Sequence, residues 1–192
     1  AGNDTLDGGA GTNTADYSAA SSSVTANLST GTASGGSDVG TDKLIGIQNL
    51  IGGSGKDILT GNTANNVLDG RAGSNTLTGL DGADTFMFSV NRTFGLASAD
   101  HIVDFTPSQG DKIQINRAAF GISAQASVSL QTITKSSDLT AALASSNLFV
   151  YDQSNGNLYW NQNGPAASFG TGGIFAVLDN NPSMTAQYVS LS

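Results

Sequence analysis

Between residues 52 and 87 an apolar side chain falls at every ninth position and a glycine opens each block. In frame the segment reads GGSGKDILT (52–60), GNTANNVLD (61–69), GRAGSNTLT (70–78) and GLDGADTFM (79–87). Position one is Gly throughout, position six is Asp57, Asn66, Asn75 or Asp84, and position eight is Leu59, Leu68, Leu77 or Phe86. A polar, glycine-rich six-residue stretch predicts a tight turn, because glycine accepts positive φ and brings carbonyls toward one point. The three residues that follow suffice for a short strand whose middle side chain points inward. Two blocks then make one full coil, so that turns two blocks apart lie over each other on the same edge. That places the turn of Asp57 beside that of Asn75, and the turn of Asn66 beside that of Asp84. The same frame opens the chain, where AGNDTLD (1–7) is the tail of one block and GGAGTNTAD (8–16) is the next.

Outside these blocks the period changes. Between residues 17 and 51 the spacing breaks, but residues 23–28 alternate like a strand, and Gly40, Asp42 and Leu44 restore positions four, six and eight. This insert is expected to continue the same solenoid with longer or shorter turns. From Phe88 onward the repeat stops, and residues 113–115, 128–133, 148–151, 158–160 and 174–178 predict short strands. Ser154-Asn155-Gly156-Asn157 carries an Asn-Gly hairpin signal, and residues 137–145 predict a short capped helix. The expected organisation is a repeat unit over 1–87, with its irregular insert at 17–51, followed by a β-rich cap with a short helix over 88–192.

Composition points to loops that carry oxygen ligands. The chain has 192 residues, 11% of them charged, and its 15 acidic residues are all Asp. Asp prefers turns, caps and hard-cation sites, whereas the absent Glu is a helix former. A net charge of −8 without a basic stripe argues against a nucleic-acid partner. With no cysteine, disulfides and thiolate metal sites are excluded. No apolar run is long enough for a membrane span, and no Sec-type signal opens the segment.

Stacked turns supply inward carbonyls plus one position-six side chain each, an all-oxygen set that suits calcium. The candidate ligands are the side chains of Asp4, Asp42, Asp57, Asn66, Asn75 and Asp84 with the turn residues Gly52, Ser54, Gly70 and Ala72. Without a cation the stack leaves carboxylates and carbonyl dipoles facing one another in a thin core, so metal binding is expected to be coupled to folding.

GGSGKDILT and its in-frame neighbours resemble the RTX, or hemolysin-type, calcium-binding repeat of type I secreted bacterial proteins, whose nonapeptide is G-G-x-G-x-D-x-U-x. The flanks DYSAASSSVTANLSTGTASGG, DKLIGIQNLIGGSGKD and GADTFMF…DHIVDFTPSQGDKIQI are similar to segments of RTX C-terminal regions. The resemblance implies an all-β, right-handed parallel β-roll that binds several Ca2+ ions. It also implies a chain that stays unfolded in the low-calcium cytosol, leaves through the type I secretion apparatus by an uncleaved C-terminal signal, and folds outside the cell. An upstream partner domain of the parent protein is implied as well; because Ala1 falls inside a repeat, the segment is expected to be a fragment of that parent. By the same resemblance Asp104 and Asp111 either close a last calcium site or hydrogen-bond a turn. Two features depart from the pattern. Position six is Asn at Asn13, Asn66 and Asn75, and position four is Ala64, which predicts weaker sites. The terminal YVSLS lacks the acidic residue and hydrophobic run that end many such signals.

Catalysis is not expected. His101 is the only histidine, no G-x-S-x-G elbow occurs, and GGSGKD fails the phosphate-loop spacing. Tyr159 and Trp160 are read as core residues, with sugar stacking as the alternative. The alternatives to a folding and secretion module are a calcium-rigidified adhesin or S-layer element binding a cell surface, and an accessory module of a polysaccharide-modifying enzyme.

Overall fold

The computed structural model describes residues 1–163, 170 and 172–192. The repeats become strands of mostly three residues: β1 (Thr5–Asp7), β2 (Thr14–Asp16), β3 (Thr25–Asn27), β4 (Thr32–Ser34), β5 (Thr41–Ile45), β6 (Asn49–Ile51), β7 (Ile58–Thr60), β8 (Val67–Asp69), β9 (Thr76–Thr78) and β10 (Thr85–Phe88). Beyond them lie β11 (Asp100–Ile102), β12 (Lys112–Ile115), α1 (Arg117–Phe120), β13 (Leu130–Ile133), α2 (Leu139–Leu143), β14 (Phe149–Asp152), β15 (Asn157–Trp160), β16 (Gly173–Leu178) and β17 (Val189–Leu191).

Successive repeats alternate between two sheets, so parallel neighbours are two repeats apart. Strand β7 pairs with β9, setting Leu59 opposite Leu77, while β8 pairs with β10, setting Leu68 opposite Phe86. The N-terminal repeats obey the same register, with Leu6 opposite Leu44 and Ala15 opposite Leu50. Leu50, Leu59, Leu68, Leu77 and Phe86 are fully buried and belong to one core cluster shared by both sheets. Each such side chain contributes about 1.5–3 kcal/mol by leaving water. The chain is an all-β parallel β-roll with a β-rich C-terminal end.

The insert differs from its expectation. Strand β3 joins the roll in parallel, with Ala26 opposite Leu59, but β4 runs antiparallel to both β3 and β5. Only residues 28–31 connect β3 to β4. Adjacent strands of one sheet can be joined that briefly only as a hairpin, since a parallel crossover takes about a dozen residues. Gly31, at φ 66, makes the reversal.

Parallel pairing continues past Met87. Strand β11 pairs with β9 and then β16, and β12 pairs with β10 and then β17. The predicted Asn-Gly hairpin is formed by antiparallel β14 and β15, with Asp152 opposite Asn157. An aromatic cluster fills this end; Phe120 meets Trp160 at 5.4 Å and Phe175 at 5.3 Å between ring centroids. No helix among the described residues is long and apolar enough to cross a membrane.

Candidate metal centre

The turns between strands stack as the strands do. A Cβ placed on Gly73 would lie 2.0 Å from the Gly55 carbonyl oxygen, and one on Gly82 would lie 2.6 Å from that of Ala64. Position four of one turn therefore presses its carbonyl onto position four of the next. At Gly73 the backbone also has φ 106, so the position is closed to side chains on two counts.

Position-six side chains run along each edge as a hydrogen-bonded ladder. On the edge of β7, β9 and β11, the Val24 N–H donates to Asp57 Oδ1 at 2.8 Å and the Gly53 N–H to Asp57 Oδ2 at 2.7 Å. The Asp57 N–H donates to Asn75 Oδ1, and the Asn75 N–H to Asp100 Oδ1, each at 2.9 Å. On the opposite edge the Asn62 N–H reaches Asn66 Oδ1 at 2.8 Å, the Asn66 N–H reaches Asp84 Oδ1 at 2.8 Å, and the Asp84 N–H reaches Asp111 Oδ1 at 2.9 Å. Asp57 and Asp111 thus clamp their own turns to a neighbouring one with charge-assisted bonds, while Asp84 and Asp100 accept a backbone N–H only from position six of the adjacent turn.

Asp57, Asn66, Asn75, Asp84 and Asp111 are all buried. Burial pushes Asp57 and Asp111 above the ordinary carboxylate range against the pull of their N–H donors. It carries Asp84 up to about 6, with Asp111 and Asp104 adding repulsion. Asp84 Oδ2 is buried with no hydrogen-bond partner. The described residues form two ion pairs, Arg92 with Asp100 and His101 with Asp179, and neither neutralises Asp57, Asp84 or Asp111.

The candidate ligands fall into three groups. Gly52, Ser54 and Asp57 share a turn facing that of Gly70, Ala72 and Asn75; a Cβ on Gly52 would sit 3.2 Å from the Gly70 carbonyl oxygen. Asn66 and Asp84 meet on the other edge, continued by Asp111. Asp4 and Asp42 meet near the N-terminus, the Asp4 N–H donating to Asp42 Oδ1 and the Tyr17 hydroxyl to Asp42 Oδ2, each at 3.0 Å. Asp104 accepts from the Gly79 and Leu80 N–H groups at 2.9 and 2.8 Å. Asp111 also accepts from the Thr106 N–H at 2.7 Å, so both residues do hydrogen-bond turns. Tyr159 and Trp160 are 5% and 4% exposed and present no open ring face for a sugar.

Asp100 was not anticipated as a ladder member, because the turn before it lacks the nonapeptide glycines. The signal was present: Asp-x-apolar recurs at Asp57-Ile58-Leu59, Asp84-Thr85-Phe86, Asp100-His101-Ile102 and Asp111-Lys112-Ile113.

Among the described residues no three His, Cys, Asp or Glu side chains gather as a metal site on their own. A cation on this edge must take most of its ligands from carbonyls, and the available donors are all oxygens. The orphaned Asp84 Oδ2 and the unneutralised buried carboxylates fit a hard divalent ion of that preference, calcium above all.

A sequence model of the RTX calcium-binding nonapeptide repeat matches residues 1–18 and 51–86 in 4 copies. No curated protein sequence matches the chain. Among solved structures, the chain is similar to the solution structure of the AlgE6R3 subunit from the Azotobacter vinelandii mannuronan C5-epimerase. The similarity has 21% identity and a TM-score of 0.44, covering 98% of this chain and 77% of that one.

Proposed function

We propose that this chain, whose residues 1–18 and 51–86 are RTX calcium-binding nonapeptide repeats, is a non-catalytic module that folds on meeting external calcium and stabilises an upstream domain of a type I secreted protein. The observation that carries the reading is the ladder of buried position-six groups, in which Asp84 Oδ2 is left without a partner. In water such carboxylates repel and solvate; in the roll they are buried beside carbonyl oxygens, and a divalent cation supplies the missing counter-charge. Gly52, Ser54 and Asp57 with Gly70, Ala72 and Asn75 would hold one ion. Asn66, Asp84, Asp104 and Asp111 would serve the opposite edge, and Asp4 with Asp42 the N-terminal turn. Amides at Asn66 and Asn75 lower the ligand charge, which places the affinity in the range of about 10⁻⁴–10⁻³ M of extracellular modules.

Limited proteolysis tests this reading. In chelator the roll should be cut throughout, while millimolar calcium should protect residues 1–115 and magnesium should not. Equal resistance in chelator and in calcium would defeat the folding trigger.

A further inference from the structure

We infer that Arg92 takes the place of a calcium ion at the last turn of the β7–β9–β11 edge. This rests on the calcium reading above, but concerns a turn pair which that reading leaves without an ion.

The register of β11 on β9 sets His101 opposite Thr76, so Asp100 occupies position six above Asn75, and Ser98 falls at position four, above Gly73. The Arg92 guanidinium lies between these two turns. Its Nη2 donates to the Gly73 carbonyl at 3.2 Å, to the Ser98 carbonyl at 2.8 Å and to Asp100 Oδ1 at 2.8 Å. Its Nη1 donates to Asp100 Oδ2 at 2.8 Å. One cationic group thus gathers two position-four carbonyls from stacked turns and both oxygens of a position-six carboxylate. These are the oxygen types, turn carbonyls and a position-six carboxylate, that the Asp57–Asn75 and Asn66–Asp84 turn pairs offer to a metal.

The site receives the outer two nitrogens of the guanidinium and leaves its buried Nε without a hydrogen-bond partner. Arg92 and Asp100 are 4% and 1% exposed, and Arg92 Cζ lies 5.2 Å from the centre of the Phe88 ring. A planar guanidinium matches a carboxylate in a two-pronged pair and stacks on an aromatic face, which a lysine does not do. The backbone permits the approach because residues 89–99 replace the six-residue turn and carry Arg92 inward from outside the repeat. The opposite edge supplies the contrast. There Asp111 stands above Asp84 in the equivalent rung, Asp104 repels both, and among the described residues no basic side chain pairs with any of them. One edge therefore ends on a covalently attached cation and the other on an anionic site. The Arg92 rung needs no metal, so this turn pair closes without an ion of its own once calcium has formed the rest of the roll.

The test is calcium stoichiometry, by equilibrium dialysis and titration calorimetry, on the whole chain and on Arg92→Ala and Arg92→Gln, together with melting at a fixed subsaturating calcium concentration. Removing the guanidinium should expose its oxygens to calcium: each variant should bind one more ion per chain than the parent, melt lower at subsaturating calcium, and recover in saturating calcium. Arg92→Gln keeps much of the packing over Phe88 and separates lost volume from lost charge. An unchanged stoichiometry in folded variants overturns the assignment while leaving the calcium module intact. Failure of both variants to fold in saturating calcium overturns it also, since calcium then does not replace the side chain. If neither parent nor variants bind calcium, both readings fall.

Discussion

Asp57 separates the two jobs assigned to a position-six carboxylate, because alanine and asparagine remove different parts of it. The side chain is fully buried and accepts the Val24 and Gly53 N–H groups at 2.8 and 2.7 Å. Asp57→Ala strips both acceptors, and a buried N–H left unmet costs about 1–3 kcal/mol. The loss is then about 2–6 kcal/mol, a large part of the ~5–15 kcal/mol that holds a typical domain folded. Asp57→Asn keeps one acceptor oxygen and sheds the charge. Asn66 shows that the position tolerates an amide, its Oδ1 accepting from Asn62 and its Nδ2 donating to the Gln48 carbonyl at 2.8 Å each. Relief of the buried charge offsets part of the one lost bond, so Asn should cost no more than about 1–3 kcal/mol. The calcium midpoint should nevertheless rise by about tenfold or more in Asp57→Asn, or ~1.4 kcal/mol per decade. Urea unfolding in saturating calcium and calcium titration followed by far-UV circular dichroism read the two effects separately. If Asp57→Asn keeps the parental calcium midpoint, the carboxylate is a turn clamp only and the pairing of turns across that site is wrong.

Other consequences are checked as simply. Gly73→Ala should disrupt the stack, since its Cβ would meet the Gly55 carbonyl oxygen at 2.0 Å; Gly11→Ala, at φ 100 with nothing within 4 Å, should cost only the backbone strain of about 1–3 kcal/mol. Melting temperatures that fall equally in both would refute the close approach. Leu68→Ala should lose about 2–5 kcal/mol in calcium-saturated urea unfolding, and a loss near zero would mean that the inner column is not a packed core. Acidity should act oppositely on the metal-free and calcium-loaded chains. Asp84 is raised to about 6 from 3.8, so its folding contribution is full below the ordinary carboxylate value and is lost as pH rises through about 6. In chelator the β signal should therefore rise as pH falls from 7 to about 4.5, while protons competing for the carboxylates weaken calcium binding. Asp38 and Asp152, held below the ordinary range by their hydrogen bonds, stay ionised across that window. A β signal in chelator that falls over that window would contradict the assignment.

The regular part of this architecture was legible because each residue there has a single task. An apolar residue every nine positions can only line one side of a coil, and the pairs Leu59–Leu77 and Leu68–Phe86 are those that the frame predicts. The stacking of the Asp57 turn on that of Asn75 followed from the same arithmetic. Where turn length varies, arithmetic fails. The reversal of β4 depends on a short connection and on Gly31, not on hydrophobic period. Asp100 escaped notice because residues 89–99 carry none of the glycine spacing, although its Asp-x-apolar signature was in view. Arg92 lies outside any repeat position, and only the fold shows that it turns back into the ladder. Pairings such as β11 with β16 join residues far apart in sequence, and a local pattern does not specify them. The four-residue helix α1 is held between two caps, the Asn116 side chain accepting from the Ala119 N–H at 3.0 Å and Gly121 in the left-handed conformation, and is too short for a helical period to register.

The central claim, that cation binding and formation of the roll are one event, is tested most directly by far-UV circular dichroism of the whole chain during a calcium titration from excess chelator, with magnesium in parallel. The account predicts a cooperative gain of β signal with calcium and none with magnesium. A full β spectrum in chelator that calcium leaves unchanged would contradict it, leaving a solenoid whose buried Asp side chains only clamp turns.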